Sequence, residues 1–184
     1  MMRVLGIDPG SETTGWGIVE GDARRYALVE FGALKASPRE RFAARLLKIS
    51  NGVDDLIARF KPDVCSIEEA FFAVNPKTAL KLGQVRGVVL VAAERAQVEI
   101  REYAPRLVKQ AVVGYGAAEK HQVQEMVRLL LRLTKAPQPY DAADALALAI
   151  CHFHHSGIPA RTRSNARAQL EALLNANPRR RAPR

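Results

Sequence analysis

Met2-Arg3-Val4-Leu5-Gly6-Ile7-Asp8-Pro9-Gly10-Ser11-Glu12-Thr13-Thr14-Gly15-Trp16-Gly17-Ile18-Val19-Glu20 carries two strand-like runs, 2–8 and 14–20, on either side of a turn. The turn, Pro9 to Thr13, is rich in the residues that preset or tolerate turn backbone. A third run at about 25–34 completes an antiparallel meander. The first run ends on an acid, Asp8, at the close of a hydrophobic strand. An acid there is costly unless it forms the turn, as an Asp-Pro-Gly step can, or has chemical work to do.

Outward from this meander the pattern changes period. Ser37-Pro38 reads as a helix cap followed by proline at the first helical position. Phe42, Leu46, Ile49, Val53 and Leu56/Ile57 then recur at three- and four-residue steps, the mark of a helix packed on one side. Lys61-Pro62-Asp63 ends it, and Val64 to Ile67 is a short buried strand running into Glu68. Asn75-Pro76 caps a long helix reaching about Ala96, and Val98 to Tyr103 is a strand. Residues 106–113 and 119–133 read as helices, as does a last stretch from about Tyr140 to His154. The expected architecture is α/β: a mixed central sheet with a three-strand antiparallel meander and helices on both faces.

The chain of 184 residues suits one domain with a real core. We place that domain at residues 1–156. Residues 157–184 hold seven arginines against one glutamate, no sustained apolar period, and read as a disordered basic tail. The formal net charge is +9, and with +6 of it in the tail the body is near neutral. An anionic partner therefore has to be met by placement of charge on the body rather than by excess. Cys65 and Cys151 are too few and too far apart for a disulfide framework or a zinc site and read as buried thiols. Cys151-His152-Phe153-His154-His155 lies at a helix end, where histidines meet terminal carbonyls and solvent, so no zinc is expected. No apolar run reaches the roughly 18 residues of a membrane span. With no signal-like segment before Val4, a cytoplasmic location without membrane contact is expected.

Four acids stand where acids cost stability. Asp8 and Glu68 each end a hydrophobic strand, and Asp141 and Asp144 sit three apart at the start of an alanine-rich helix, hence on one face. Strand ends of an α/β sheet gather at one edge, and the last helix can bring its acids over them. Clustered carboxylates repel one another, a conflict that hard divalent cations with oxygen ligands resolve. Two such ions can activate water and steady the leaving oxygen in phosphodiester hydrolysis. Each acid also has a plain explanation. Asp141 and Asp144 favour a helix N-terminus by its dipole, and Glu68 can be a solvated strand end.

An ordered set of motifs resembles the RuvC family of Holliday junction resolvases. It comprises Leu5-Gly6-Ile7-Asp8-Pro9-Gly10-Ser11 with Thr14-Gly15-Trp16-Gly17, then Ile67-Glu68-Glu69-Ala70-Phe71, then Ala79-Leu80-Lys81-Leu82-Gly83-Gln84-Val85-Arg86-Gly87. Val108-Lys109-Gln110-Ala111-Val112-Val113-Gly114, Ala118-Glu119-Lys120-His121-Gln122-Val123-Gln124 and Asp141-Ala142-Ala143-Asp144-Ala145-Leu146-Ala147 follow in order. The resemblance implies a ribonuclease H-like fold and a homodimer that cuts two strands of a four-way DNA junction symmetrically, leaving 5′-phosphates. It also implies two Mg²⁺ ions per subunit, with Mn²⁺ able to substitute, held by Asp8, Glu68, Asp141 and Asp144. The RuvA–RuvB branch-migration complex is the implied partner.

By position, Phe71 matches an aromatic that wedges into the junction, and Phe72 beside it could share the task. Adjacent rings before a helix start are hard to bury together, and a base stacked on an exposed ring gains roughly 1–3 kcal/mol. Lys109 and Lys120 match basic residues that handle DNA near the acids, and they bracket a loop containing Gly114 and Gly116. Without the resemblance, a solvated lysine is the ordinary reading of either. Gly83 and Gly87 lie one turn apart in a helix, at about 1 kcal/mol each relative to alanine, which close helix approach would offset. With Leu80 beside them they read as a dimer interface, with packing against the sheet as the alternative. Two other classes of function compete. Asp8-Pro9-Gly10-Ser11 after a strand also resembles the phosphate loop of actin-like kinases, which need a second such domain. A junction-binding module without catalysis is the other, and a ribonuclease acting on RNA–DNA hybrids is a rival within the same chemistry.

Overall fold

The computed structural model describes residues 1–22, 24–69 and 75–156. The expected tail at 157–184 and the Phe71-Phe72 pair lie outside the described residues. Strands β1 (Met2–Asp8), β2 (Thr13–Gly21) and β3 (Tyr26–Lys35) are followed by α1 (Phe42–Phe60) and β4 (Val64–Glu68). Then come α2 (Pro76–Arg95), β5 (Glu99–Tyr103), α3 (Pro105–Val113), α4 (Lys120–Leu130) and α5 (Tyr140–Ser156). The sheet order is β3-β2-β1-β4-β5. The first three strands pair antiparallel, and β4 and β5 add in parallel on the far side of β1.

Strand alternation splits the core in two. Leu5, Ile7, Trp16, Ile18, Cys65 and Ile67 face α1 and α2 and pack on Ile49, Val53, Val85 and Val89. Val4, Val19 and Val64 face the other way, onto α5, which α3 and α4 cover in turn. Helices thus cover both faces, as expected. α5 is enclosed by sheet on one side and helices on the other, so Ala142 to Phe153 are all buried except Asp144. Its alanines let it lie low. A β-carbon at Gly6 would overlap the Ala145 carbonyl, one at Gly15 would overlap the Asp141 carbonyl, and one at Gly17 would come within 2.5 Å of Leu146 Cδ2.

One helix start differs from its sequence reading. α1 begins at Phe42, not at Pro38. Ser37 spends both of its acceptors on a local turn: its carbonyl takes the Glu40 N–H at 3.0 Å and its hydroxyl the Arg39 N–H at 3.3 Å. Proline at the second position of such a turn is as well placed as at a helix start. Asn75 does cap α2, its side chain accepting from Lys77 and Thr78 N–H. Apolar spacing also missed a buried member of α1, Arg45, whose guanidinium donates to the Ser11 carbonyl and lies over the Phe42 ring.

Candidate active site

The site is built where β1 and β4 end. Ile7 and Ile67 are registered side by side in the parallel pair, so the next residues, Asp8 and Glu68, emerge together at one sheet edge. Both continue the face that carries Val4 and Val64, so they point under α5. Asp8 is also registered with Gly15 on β2, and the bare backbone of Gly15 admits the Asp141 carbonyl. The first turn of α5 is therefore seated directly over the strand acids, and Asp144 follows one turn on.

A cleft opens here, lined by Asp8, Glu68 and Asp144 with Lys109 from α3 and Lys120 from α4. Asp141 is not in its wall. Its charge nonetheless reaches Asp8. Burial, followed by the charges of Asp144, Glu68 and Asp141, pushes the Asp8 carboxyl up to about 7, with Lys120 opposing. Burial and Asp144 also raise Glu68, while Lys120 and Lys109 draw it down. The ammonium of Lys120 stands 3.2 Å from Asp144 Oδ2, and that carboxylate raises the lysine in turn.

Such a cluster is short of positive charge. A buried Asp8 hemmed in by three other carboxylates ionises at a cost that one lysine offsets only partly. All the donors are carboxylate oxygens, the set that hard divalent cations take. Among the described residues no three acid, histidine or cysteine side chains are already closed around one point. The cleft thus offers the right chemistry in an open arrangement rather than a finished cage.

Other sequence readings find definite places. Lys109 and Lys120 flank the expected glycine loop, in which Gly114 ends α3 with φ 93°, and a Glu119–Gln122 capping box starts α4 at Lys120. Among the described residues nothing lies within 4 Å of where a β-carbon on Gly83 or Gly87 would stand, and Leu80 is 69% exposed. The sheet side of α2 is instead Val85, Val89, Ala92 and Ala93, so packing on the sheet is not what the glycines serve. The terminal histidines are engaged within the fold. His155 Nδ1 meets the Cys151 carbonyl at 2.8 Å, and His154 bridges the Ala111 carbonyl and the Tyr26 hydroxyl. His152 departs from the expectation of carbonyl or solvent partners, since its ring is buried and its Nδ1 lies 2.8 Å from the Tyr103 hydroxyl. Both cysteines are buried, and burial pushes each thiol up to about 12. Among the described residues no helix is long and apolar enough to cross a membrane.

Three supports of the site went unread in the sequence: the Gly6, Gly15 and Gly17 platform under α5, Arg45 gripping the turn after Asp8, and Gln124, whose side chain holds the Pro137 carbonyl at 2.8 Å ahead of Asp141. Only the glycines left a signal, in their spacing along two adjacent strands.

The sequence pattern of the family described as "Crossover junction endodeoxyribonuclease RuvC" matches residues 4–152. The chain is 53% identical over 151 residues to the crossover junction endodeoxyribonuclease RuvC of Chloroflexus aggregans, covering 82% of this chain and 92% of that one. Among solved structures, "T. thermophilus RuvC in complex with Holliday junction substrate" superposes with a TM-score of 0.80 at 40% identity, covering 85% of this chain and 95% of the other. The yeast mitochondrial Holliday junction resolvase Ydc2 shares the fold, with a TM-score of 0.64 at 16% identity over 91% of this chain and 84% of its own.

Proposed function

Since the chain belongs to the RuvC family of crossover junction endodeoxyribonucleases, we propose that it resolves Holliday junctions by paired, symmetric nicks from a homodimer, each subunit using Asp8, Glu68, Asp141 and Asp144. It is a hydrolytic nuclease of branched DNA, and its chemistry depends on a divalent metal. Family membership sets aside the phosphotransferase and the non-catalytic readings.

The observation that carries the residue assignment is the burial of Asp8 among three other carboxylates in a cleft walled by Lys109 and Lys120. Asp8, Glu68, Asp141 and Asp144 would hold two Mg²⁺ ions, or Mn²⁺ in their place, since both take oxygen ligands. When bound, the ions supply activation of the attacking water and stabilisation of the leaving oxygen. Asp8 is the acid on which the charges of the other three all bear, so it would be central to holding the ions. Lys120 holds Asp144 oriented toward the cleft, and Lys109 and Lys120 supply positive charge on the wall that a phosphodiester would approach.

The stripe of Leu80, Gly83 and Gly87 on α2, which no described residue covers, is the proposed subunit interface, because an apolar face with two bare turns suits close approach of a second copy. Phe71 and Phe72 are the proposed junction wedge. A cytoplasmic location and cooperation with the RuvA–RuvB branch-migration complex complete the reading. The test of the acids is Asp8→Asn. The variant should bind a four-way junction in a gel shift as the parent does and should not cut it; loss of binding, or retained cutting, would sink the assignment.

A further inference from the structure

Arg86 stands on α2 between the two open glycines, but its side chain turns inward and is only 15% exposed. Nε donates to the backbone carbonyl of Glu68 at 3.2 Å. The Nη2 end is buried against the Glu102 carboxylate of β5, an ion pair without hydrogen-bond alignment. Glu102 is itself registered with Ile67, the residue before Glu68. One guanidinium thereby ties α2, the last residue of β4, and β5 together at the acid edge.

The position of Glu68 makes that tie consequential. Beyond it the parallel ladder adds one more main-chain bond, from Glu69 N–H to the Tyr103 carbonyl at 2.9 Å. A strand end has few other restraints, and a charged donor on its carbonyl is roughly twice as strong as a neutral one. Arg86 acts on the backbone and not on the carboxylate. The charges that bear on Glu68 are Asp144, Lys120 and Lys109, while the charge of Arg86 is met by Glu102. A second groove runs from Asp8 and Glu68 to Gly83 and has Arg86 in its wall, so the clamp sits against the acids without being one of them.

We infer that Arg86 is a positioning residue for Glu68: held by Glu102, it grips the Glu68 carbonyl and so fixes where the carboxylate stands. The inference rests on the nuclease reading. The test compares the full chain with Arg86→Gln, Arg86→Lys, Glu102→Gln and the Arg86→Gln/Glu102→Gln double variant. Single-turnover cutting of a synthetic four-way junction is measured across a Mg²⁺ titration, and junction affinity is measured in EDTA.

Arg86→Gln should slow cutting at least tenfold and raise the Mg²⁺ concentration for half-maximal rate, with the junction Kd within twofold of the parent. Arg86→Lys should recover part of the rate, and Glu102→Gln should lose less than Arg86→Gln. The double variant should be no slower than Arg86→Gln alone, because both changes undo one clamp. Unchanged cutting and Mg²⁺ dependence in Arg86→Gln, losses that multiply in the double variant, or a Kd that rises in step with the rate loss would each overturn it. Should Arg86→Gln fail to fold, Arg86→Lys and Glu102→Gln decide by the same readouts. Failure of the parent itself to cut the junction would count against the nuclease reading, a separate result.

Discussion

The carbonyl oxygen of Asp141 occupies the space that a β-carbon on Gly15 would need. Gly15 is in turn registered with Asp8, so one missing side chain sets how closely the helix acids approach the strand acids. A backbone overlap has no rotamer by which to escape. Gly15→Ala should therefore cost about 3 kcal/mol, the upper part of the range for overpacking. That is a fall in Tm of roughly 6–12 °C for a domain of this size. Cutting should fall further than stability alone explains. Thermal melts alongside junction cleavage at a temperature where the variant is folded check this, and an alanine variant that melts and cuts like the parent contradicts it.

Metal removal exposes the strain at Asp8. Its folded pKa of about 7 stands above the unfolded value of 3.8, so between these values the folded state binds more protons. The stability held by the protonated carboxyl is present below pH 4 and is lost as pH rises through 7. At roughly 1.4 kcal/mol per pH unit, ionised Asp8 costs the metal-free protein on the order of 4 kcal/mol. Asp8→Asn in EDTA should melt several degrees above the parent at pH 8, and the gap should close toward pH 5. Equal melting temperatures throughout that range would show that Asp8 is not held in a carboxylate cluster.

Leu80→Glu tests the open face of α2. The side chain is 69% exposed, so the subunit fold should survive with a Tm near that of the parent. Two added carboxylates would face each other across the two-fold axis of the proposed homodimer, so the variant should be monomeric in sedimentation equilibrium where the parent is dimeric. A variant that remains dimeric moves the interface elsewhere.

Cys65 and Cys151, with thiols pushed up to about 12 by burial, should present almost no thiolate at neutral pH. A thiol-reactive chromogen at pH 8 should label neither in the folded protein and both after denaturation. Fast labelling of the native chain would show that one is reachable.

What could be read from residues alone followed locality. Alternation in 2–8 and 14–20 and the turn between them gave the meander, Asn75-Pro76 gave the start of α2, and acids at strand ends gave the edge where Asp8 and Glu68 line one cleft. The start of α1 was misplaced because Ser37-Pro38 satisfies a turn and a helix cap equally well, and only the downstream backbone decides between them. Arg45 and Arg86 were not picked out because a charged residue at an inward position looks like an interruption in an apolar stripe until its carbonyl partner, supplied from far along the chain, is in place. The same distance hid the reason for Gly15: the group that needs its missing side chain lies on α5, more than a hundred residues later. The reach of His152 to Tyr103 was likewise a long-range fact.

Junction-specific, metal-dependent cutting is read out by offering the full chain a synthetic mobile four-way junction, a linear duplex and an RNA–DNA hybrid, each with Mg²⁺ and with EDTA. Paired nicks at symmetric positions in the junction alone, and only with Mg²⁺, are the predicted result. Cutting that persists in EDTA, or that falls on the hybrid or the linear duplex as readily as on the junction, would contradict it.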